Sequence, residues 1–174
     1  SIAKDGLGKD AAFFDMPLNA HPPTLDAASF DQKLAAAQAS ALVDFGLWGG
    51  LTPQNLDRLD ELAERGVGLA HNPGSNMKLA SGIAAVPQWL AHGIRAGLGT
   101  DGAASSNDLD MFEAMRLAAL LHKVSSSDPR VLPARQVVEL ATRRGAEALI
   151  AIAHPGIEAC REIRSLHPAQ RASS

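Results

Sequence analysis

Two short apolar runs, each set between helical stretches and each ending in a chemically capable side chain, limit what this chain can fold into. Residues 67–70 (VGLA) run into His71-Asn72-Pro73, and residues 94–99 (IRAGLG) run into Thr100-Asp101-Gly102. Short apolar runs bounded by turn residues read as buried strands. Ahead of the first run, Thr52 stands as an N-cap with Pro53 at the first helical position. Leu56, Leu59, Leu62 and Ala63 follow at helical spacing, and Arg65-Gly66 closes that helix. Residues 83–92 read as a second helix, closed by Gly93. Past Asp101, Asn107 or Asp108 can cap a third, with Leu109, Phe112, Met115, Leu117, Leu120 and Leu121 as its apolar side. Residues 125–129 read as a loop. Pro133 opens a further helix, with Val137, Val138, Leu140 and Ala141 inward, that ends near Gly145. Strands alternating with helices predict an α/β chain with parallel pairing. In such folds ligands sit at the carboxyl ends of the strands, so His71 and Asp101 are expected on one rim.

The first 50 residues are less patterned. Gly6, Gly8, Pro17, Pro22 and Pro23 break any long element. Phe13, Phe14 and Met16 form an apolar cluster that reads as a strand or as a docking patch. Residues 31–45 (DQKLAAAQASALVDF) are rich in Ala and Leu and predict a helix, ended by Gly46, Gly49 and Gly50. Residues 151–174, with Pro155 and Pro168, read as an irregular tail. The organisation expected is a poorly patterned segment over 1–50, a patterned region over 51–150, and that tail.

Composition narrows the function classes. The formal net charge is -3, which speaks against a nucleic-acid partner. A single cysteine, Cys160, excludes an internal disulfide framework and a Cys-rich zinc module. No apolar run approaches the roughly 20 residues of a membrane span, and no signal-peptide pattern stands at the start; the expectation is a cytoplasmic protein. The 174 residues suit one domain but fall short of the roughly 250 of a complete (β/α)8 barrel. A start at Ser1 points to a fragment or a processed chain.

A histidine at a strand end can ligate a metal, act as a general base or orient a reactant; alternatively, loop backbone satisfies its ring nitrogens. Asp101 can bind a cation and accept a proton from bound water, or serve only an Asx-turn in Asp-Gly. Residues 97–102 (GLGTDG) fit G-x-G-x-x-G, a dinucleotide-binding pattern. An aspartate aimed at a pyrophosphate, and a helix that begins late, oppose dinucleotide binding there. His21, His92, His122, His154 and His167 form no H-x-H or H-x-x-H pair and read as structural or solvated. No G-x-S-x-G serine motif is present, so nucleophilic catalysis has no support.

Residues 62–82 (LAERGVGLAHNPGSNMKLASG) resemble a central block of the amidohydrolase superfamily. The resemblance is to its 5-methylthioadenosine/S-adenosylhomocysteine deaminase branch, kin to the triazine hydrolases. Residues 97–123 resemble the following block, and Ala141-Thr142-Arg143-Arg144-Gly145-Ala146 its A-T-x-x-G-A helix. The resemblance implies a partial (β/α)8 barrel over 51–150, of the metal-dependent hydrolase kind, with N-terminal strands missing or degenerate. It implies a divalent metal, usually zinc, and hydrolytic deamination of a small-molecule adenosine-type thioether nucleoside. Asp101 matches the metal-binding aspartate that also takes a proton from bound water. His71 matches a histidine that polarises and orients that water. Asn72, Ser75, Asn76 and Lys78 match the loop expected to shape the pocket rim.

The chain departs from the pattern at the ligands. It contains no H-x-H, and residues 46–50 (GLWGG) stand where a further metal histidine is expected. Residues 162–169 resemble the start of the family's closing β segment. One ligand of the usual four is matched, so the isolated chain is expected to be a truncated and inactive form. The other reading is a non-catalytic, degenerate barrel that binds a partner or a nucleoside, with open strand edges that pair with a second copy or with a missing N-terminal half.

Overall fold

The computed structural model describes residues 12–18, 20–41 and 43–152. The chain is mixed α/β. Its residues cluster into two compact units, one within Ser1–Gly68 and Leu149–Ser174, the other Leu69–Ala148.

The first unit is built on a parallel strand pair, β1 (Ala12–Asp15) and β2 (Asp44–Leu47), with Phe13 opposite Phe45 and Asp15 opposite Leu47. The Phe13–Phe14 cluster is therefore a strand. Helix α1 (Ala27–Ser40) crosses between the two. Its start is set by a reciprocal capping box. Asp26 Oδ1 accepts from the Ser29 N–H at 2.7 Å, and Ser29 Oγ accepts from the Asp26 N–H at 3.2 Å. The helix expected over 31–45 is thus displaced toward the N-terminus. Phe45 and Leu47 instead alternate inward on β2 and join Phe30, Leu62 and Val67 in the core. The Ala-rich run hid that short alternation.

The single helix expected from Pro53 is also divided. Pro53–Arg58 is a 3-10 turn that kinks at Asn55, and α2 follows at Leu59–Glu64. The buried Asn55 amide explains the kink. Its Nδ2 donates to the Leu25 carbonyl at 2.7 Å and the Gly50 carbonyl at 3.1 Å, while Oδ1 accepts from the Thr52 N–H at 2.8 Å. These side-chain bonds satisfy main-chain groups that lie ahead of the helix and tie its first turn to the preceding chain. Leu56 ends up exposed and Leu59 and Leu62 buried.

The second unit holds the two strands expected to carry chemistry, β3 (Gly68–His71) and β4 (Arg95–Leu98), which pair with one another. The Gly99 N–H donates to the His71 carbonyl at 2.9 Å. The carboxyl ends of the strands therefore lie side by side, and the strands run the same way. Helices α3 (Pro73–Lys78) and α4 (Val86–Ala91) connect them. Beyond β4 come α5 (Ala103–Ser106), α6 (Met111–Ser126), α7 (Ala134–Ala141) and α8 (Arg143–Ile152). The α7 pattern places Val137 and Leu140 in the core as expected, while Val138 is half exposed. Gly145 lies inside α8 rather than ending a helix. A Cβ on Gly97 would meet the Gly145 Cα at 2.9 Å, so two glycines let helix backbone rest on strand backbone.

Helix α6 is rotated from the orientation its large residues predict. Its buried residues are Ala114, Ala118 and His122, four apart, while Phe112 is 80% and Val124 79% exposed. The small Ala114 and Ala118 at i and i+4, and His122 at i+8, form the inward stripe. Asp110 caps this helix, accepting from the Phe112 N–H at 2.8 Å, and Asn107 instead ends α5 with φ of 78°. The helix continues through residues 125 and 126, which the sequence placed in a loop. The irregular tail expected over 151–174, with Cys160, His154, His167 and the 162–169 segment, lies outside the described residues except for the end of α8. Among the described residues, no helix is long and apolar enough to cross a membrane.

Candidate active site at the ends of β3 and β4

His71 is the last residue of β3 and is 1% exposed. Strand alternation turns Ala70 outward and His71 inward. Its Nε2 lies 3.2 Å from Nε2 of His122, which α6 brings to the site, with the rings tilted and their centroids 5.1 Å apart. The Trp89 ring of α4 meets His71 edge-on at 6.5 Å. His71 Nδ1 and Trp89 Nε1 are both buried and without a hydrogen-bond partner in the protein. Burial, with the neighbouring His122 as a smaller contribution, pushes His71 down to about 3. Burial also pushes His122 down. Charging an imidazole in an apolar setting forfeits its hydration, so both rings are neutral at pH 7.

Asp101 has the opposite character. It follows β4 by three residues, is exposed, and adopts a left-handed backbone with φ of 64°. The buried Ser75 hydroxyl above all, then the Gly102 N–H and the Ser105 hydroxyl, hold its carboxyl below the usual carboxylate range. The Gly102 bond measures 2.8 Å to Oδ1. This is an ionised carboxylate fixed by donors. The backbone bond runs to the next residue rather than two residues on, as an Asx-turn would require, and it leaves Oδ2 outside it.

The loop residues take distinct places. Ser75 joins Asp101. The Asn72 Oδ1 fills the space a side chain at Gly99 would need, so the absence of a Cβ there lets the two strand ends approach. Asn76 is half-buried, and its main chain links Asn72 and Ser81. Lys78 reaches across to α5, donating to Asn107 Oδ1 at 2.5 Å and to the Ala104 carbonyl at 3.1 Å. An open cleft of about 240 Å³ lies beside it, bordered by Gly74, Thr100 and Asp110 among others.

His122, read from sequence as structural or solvated, is buried against His71. Its one sequence signal is that it ends the Ala114–Ala118–His122 stripe of α6. Trp89 and Ser105 carried no signal.

The donor set can be tested against a metal ion. Catalytic zinc takes three protein ligands. Among the described residues no three His, Cys, Asp or Glu side chains converge in a way that could hold an ion. Asp101 suits one ligand position, since it is charged, exposed and oriented. His71 faces His122 through Nε2. The described residues do not fit a complete site.

Residues 24–151 match the sequence model of the Amidohydrolase family. The chain belongs to the amidohydrolase family. Among curated relatives of this amidohydrolase, a 5-methylthioadenosine/S-adenosylhomocysteine deaminase from Desulforudis audaxviator is 67% identical over 88 residues, 51% of this chain and 20% of the relative. One of the same name from Nitratidesulfovibrio vulgaris is 44% identical over 146 residues, 78% of this chain and 32% of the relative. A 5'-deoxyadenosine deaminase from Methanosarcina mazei is 57% identical over 91 residues, 52% of this chain and 21% of the relative. The amidohydrolase chain thus spans about a fifth to a third of the length of these relatives. Among solved structures it is similar to an adenosine deaminase from Xanthomonas campestris with bound zinc, at a TM-score of 0.58 and 29% identity over 79% of this chain and 38% of the other. It is also similar to an atrazine chlorohydrolase from Arthrobacter aurescens complexed with zinc, at 0.54 and 27% over 79% of this chain and 30% of the other.

Proposed function

We propose that this amidohydrolase chain carries part of the active site for hydrolytic deamination of adenosine-type thioether nucleosides such as S-adenosylhomocysteine and methylthioadenosine. It corresponds to the later part of a (β/α)8 barrel. The observation that carries the reading is the pairing of two strand ends, one bearing a charged, donor-anchored Asp101 and the other a neutral, buried His71.

The reaction replaces a C–N bond by a C–O bond at the amine-bearing ring carbon. Water supplies the oxygen, and ammonia leaves with one of its hydrogens. In this chain, Asp101 is the catalytic carboxylate and the one metal-ligand position. A carboxyl group held ionised by three donors binds cations and hydrogen-bonding water well. His71 acts as an uncharged hydrogen-bonding group. Asn72, Ser75 and Asn76 line the rim, with Ser75 orienting Asp101. Because the donor set is incomplete, no step is assigned to a metal. The 174 residues do not complete the reaction alone, and ligands beyond those described have to be supplied for a divalent ion to bind as in the zinc-bound relatives.

The test is ammonia release by the purified chain with added zinc, using S-adenosylhomocysteine or methylthioadenosine. The expectation is no turnover above the protein-free rate. Metal-dependent turnover would overturn the claim of incompleteness, and nucleoside binding without turnover would favour a binding module.

A further inference from the structure

The His71–His122 contact constrains where protons sit. Two neutral imidazoles whose Nε2 atoms lie 3.2 Å apart share one hydrogen between those atoms. With two hydrogens they collide, and with none two lone pairs face each other. One ring therefore donates and the other accepts, and their tautomers are linked. If His122 donates, His71 carries its hydrogen on Nδ1, as a buried N–H without a partner. If His71 donates, its Nδ1 is a bare lone pair. Orphaned buried N–H groups are rarer than under-satisfied acceptors. The Trp89 Nε1–H beside His71 is itself buried and unpartnered. A second orphan donor in the same place compounds the cost, whereas a bare Nδ1 lets one bridging hydroxyl or water accept from Trp89 and donate to His71.

We propose that His122 is a positioning residue that fixes His71 in the Nε2–H tautomer, leaving Nδ1 as a hydrogen-bond acceptor for a water or substrate donor. This rests on the functional reading only in its last clause, since the tautomer follows from the pair itself. His71 then orients a donor and does not hand over a proton. Helix α6 sets this chemistry from 51 positions away in the sequence, and the small Ala114 and Ala118 let its backbone approach.

The experiment is long-range 1H–15N correlation on the full chain with 15N-labelled histidine, without metal or substrate, with His71 signals assigned by loss in H71Q. The expected result is a pyridine-type Nδ1 and a pyrrole-type Nε2 on His71, favoured on the order of tenfold or more, the ratio set by leaving one donor unpaired. H122Q, whose amide oxygen can still accept, should preserve that pattern. H122L, which cannot accept, should shift His71 toward Nδ1–H. A pyrrole-type Nδ1 on wild-type His71 overturns the proposal, as does a folded H122L with an unchanged tautomer. Because no turnover is measured, failure of the deaminase reading leaves this result standing, and the tautomer can fail in a chain that takes part in deamination.

Discussion

Acid should destabilise this chain well above the range where carboxylates titrate, because folding holds His71 neutral. The perturbation is a pH change from 7.5 to 5.0. His71 falls from an unfolded value of 6.5 to about 3 in the fold. The unfolded chain then binds more protons, so the stability is complete above 6.5 and is lost as pH falls toward 3. At pH 5 the unfolded histidine is about 1.5 units below its midpoint, which costs about 2 kcal/mol at 1.36 kcal/mol per unit. The loss approaches about 5 kcal/mol near pH 3. His122 is shifted the same way and adds to it. Asp26, Asp31, Asp101 and Asp128 are lowered from 3.8, so their contributions disappear only below that value. Between 6.5 and 5 the histidine pair therefore acts without those four aspartates. In urea unfolding with a slope of about 2 kcal/mol/M, the midpoint should drop by about 1 M. An unchanged midpoint, or a His71 ring proton that titrates near 6.5 in the folded chain, refutes the reasoning.

Two further outcomes concern backbone. Asp101 holds a left-handed φ with its carboxylate bonded to donors, so D101A, which loses those bonds and keeps the Cβ, should lose about 1–2 kcal/mol of stability, while D101G, which also relieves the left-handed strain, loses less, read from urea midpoints at pH 7.5; equal losses would mean the turn relaxes. G97A places a Cβ against the Gly145 backbone and should cost about 1–3 kcal/mol in the same measurement. A neutral G97A would show that α8 can move off β4.

What the sequence makes legible follows its physics. The runs at 67–70 and 94–99 are short, apolar but for Arg95, and bounded by glycine and turn residues, so β3 and β4 were readable, with His71 and Asp101 at or just past their carboxyl ends. The N-terminal strands were harder. β1 lies in a stretch broken by Gly6, Gly8 and Pro17, and β2 follows an Ala-rich helix whose composition obscures the inward Phe45 and Leu47. The setting of α6 was misread for a reason of size. Leu109, Phe112 and Leu120 suggested an inward face, but close approach to the site required Ala114 and Ala118, and those large residues were left outside. His122 was invisible as a site residue because its partner is a tertiary neighbour, and histidine spacing along the chain says nothing of that.

The central claim is that the paired ends of β3 and β4 form part of a deaminase active site in which Asp101 is indispensable. The direct measurement is ammonia release by a chimera in which the matched 88 residues of the Desulforudis audaxviator relative are replaced by those of this chain. The expected result is zinc-dependent release from methylthioadenosine or S-adenosylhomocysteine, and a fall of at least about a hundredfold when Asp101→Ala is added. A folded chimera that deaminates equally well with and without Asp101, or that binds zinc and substrate yet releases no ammonia, would contradict it.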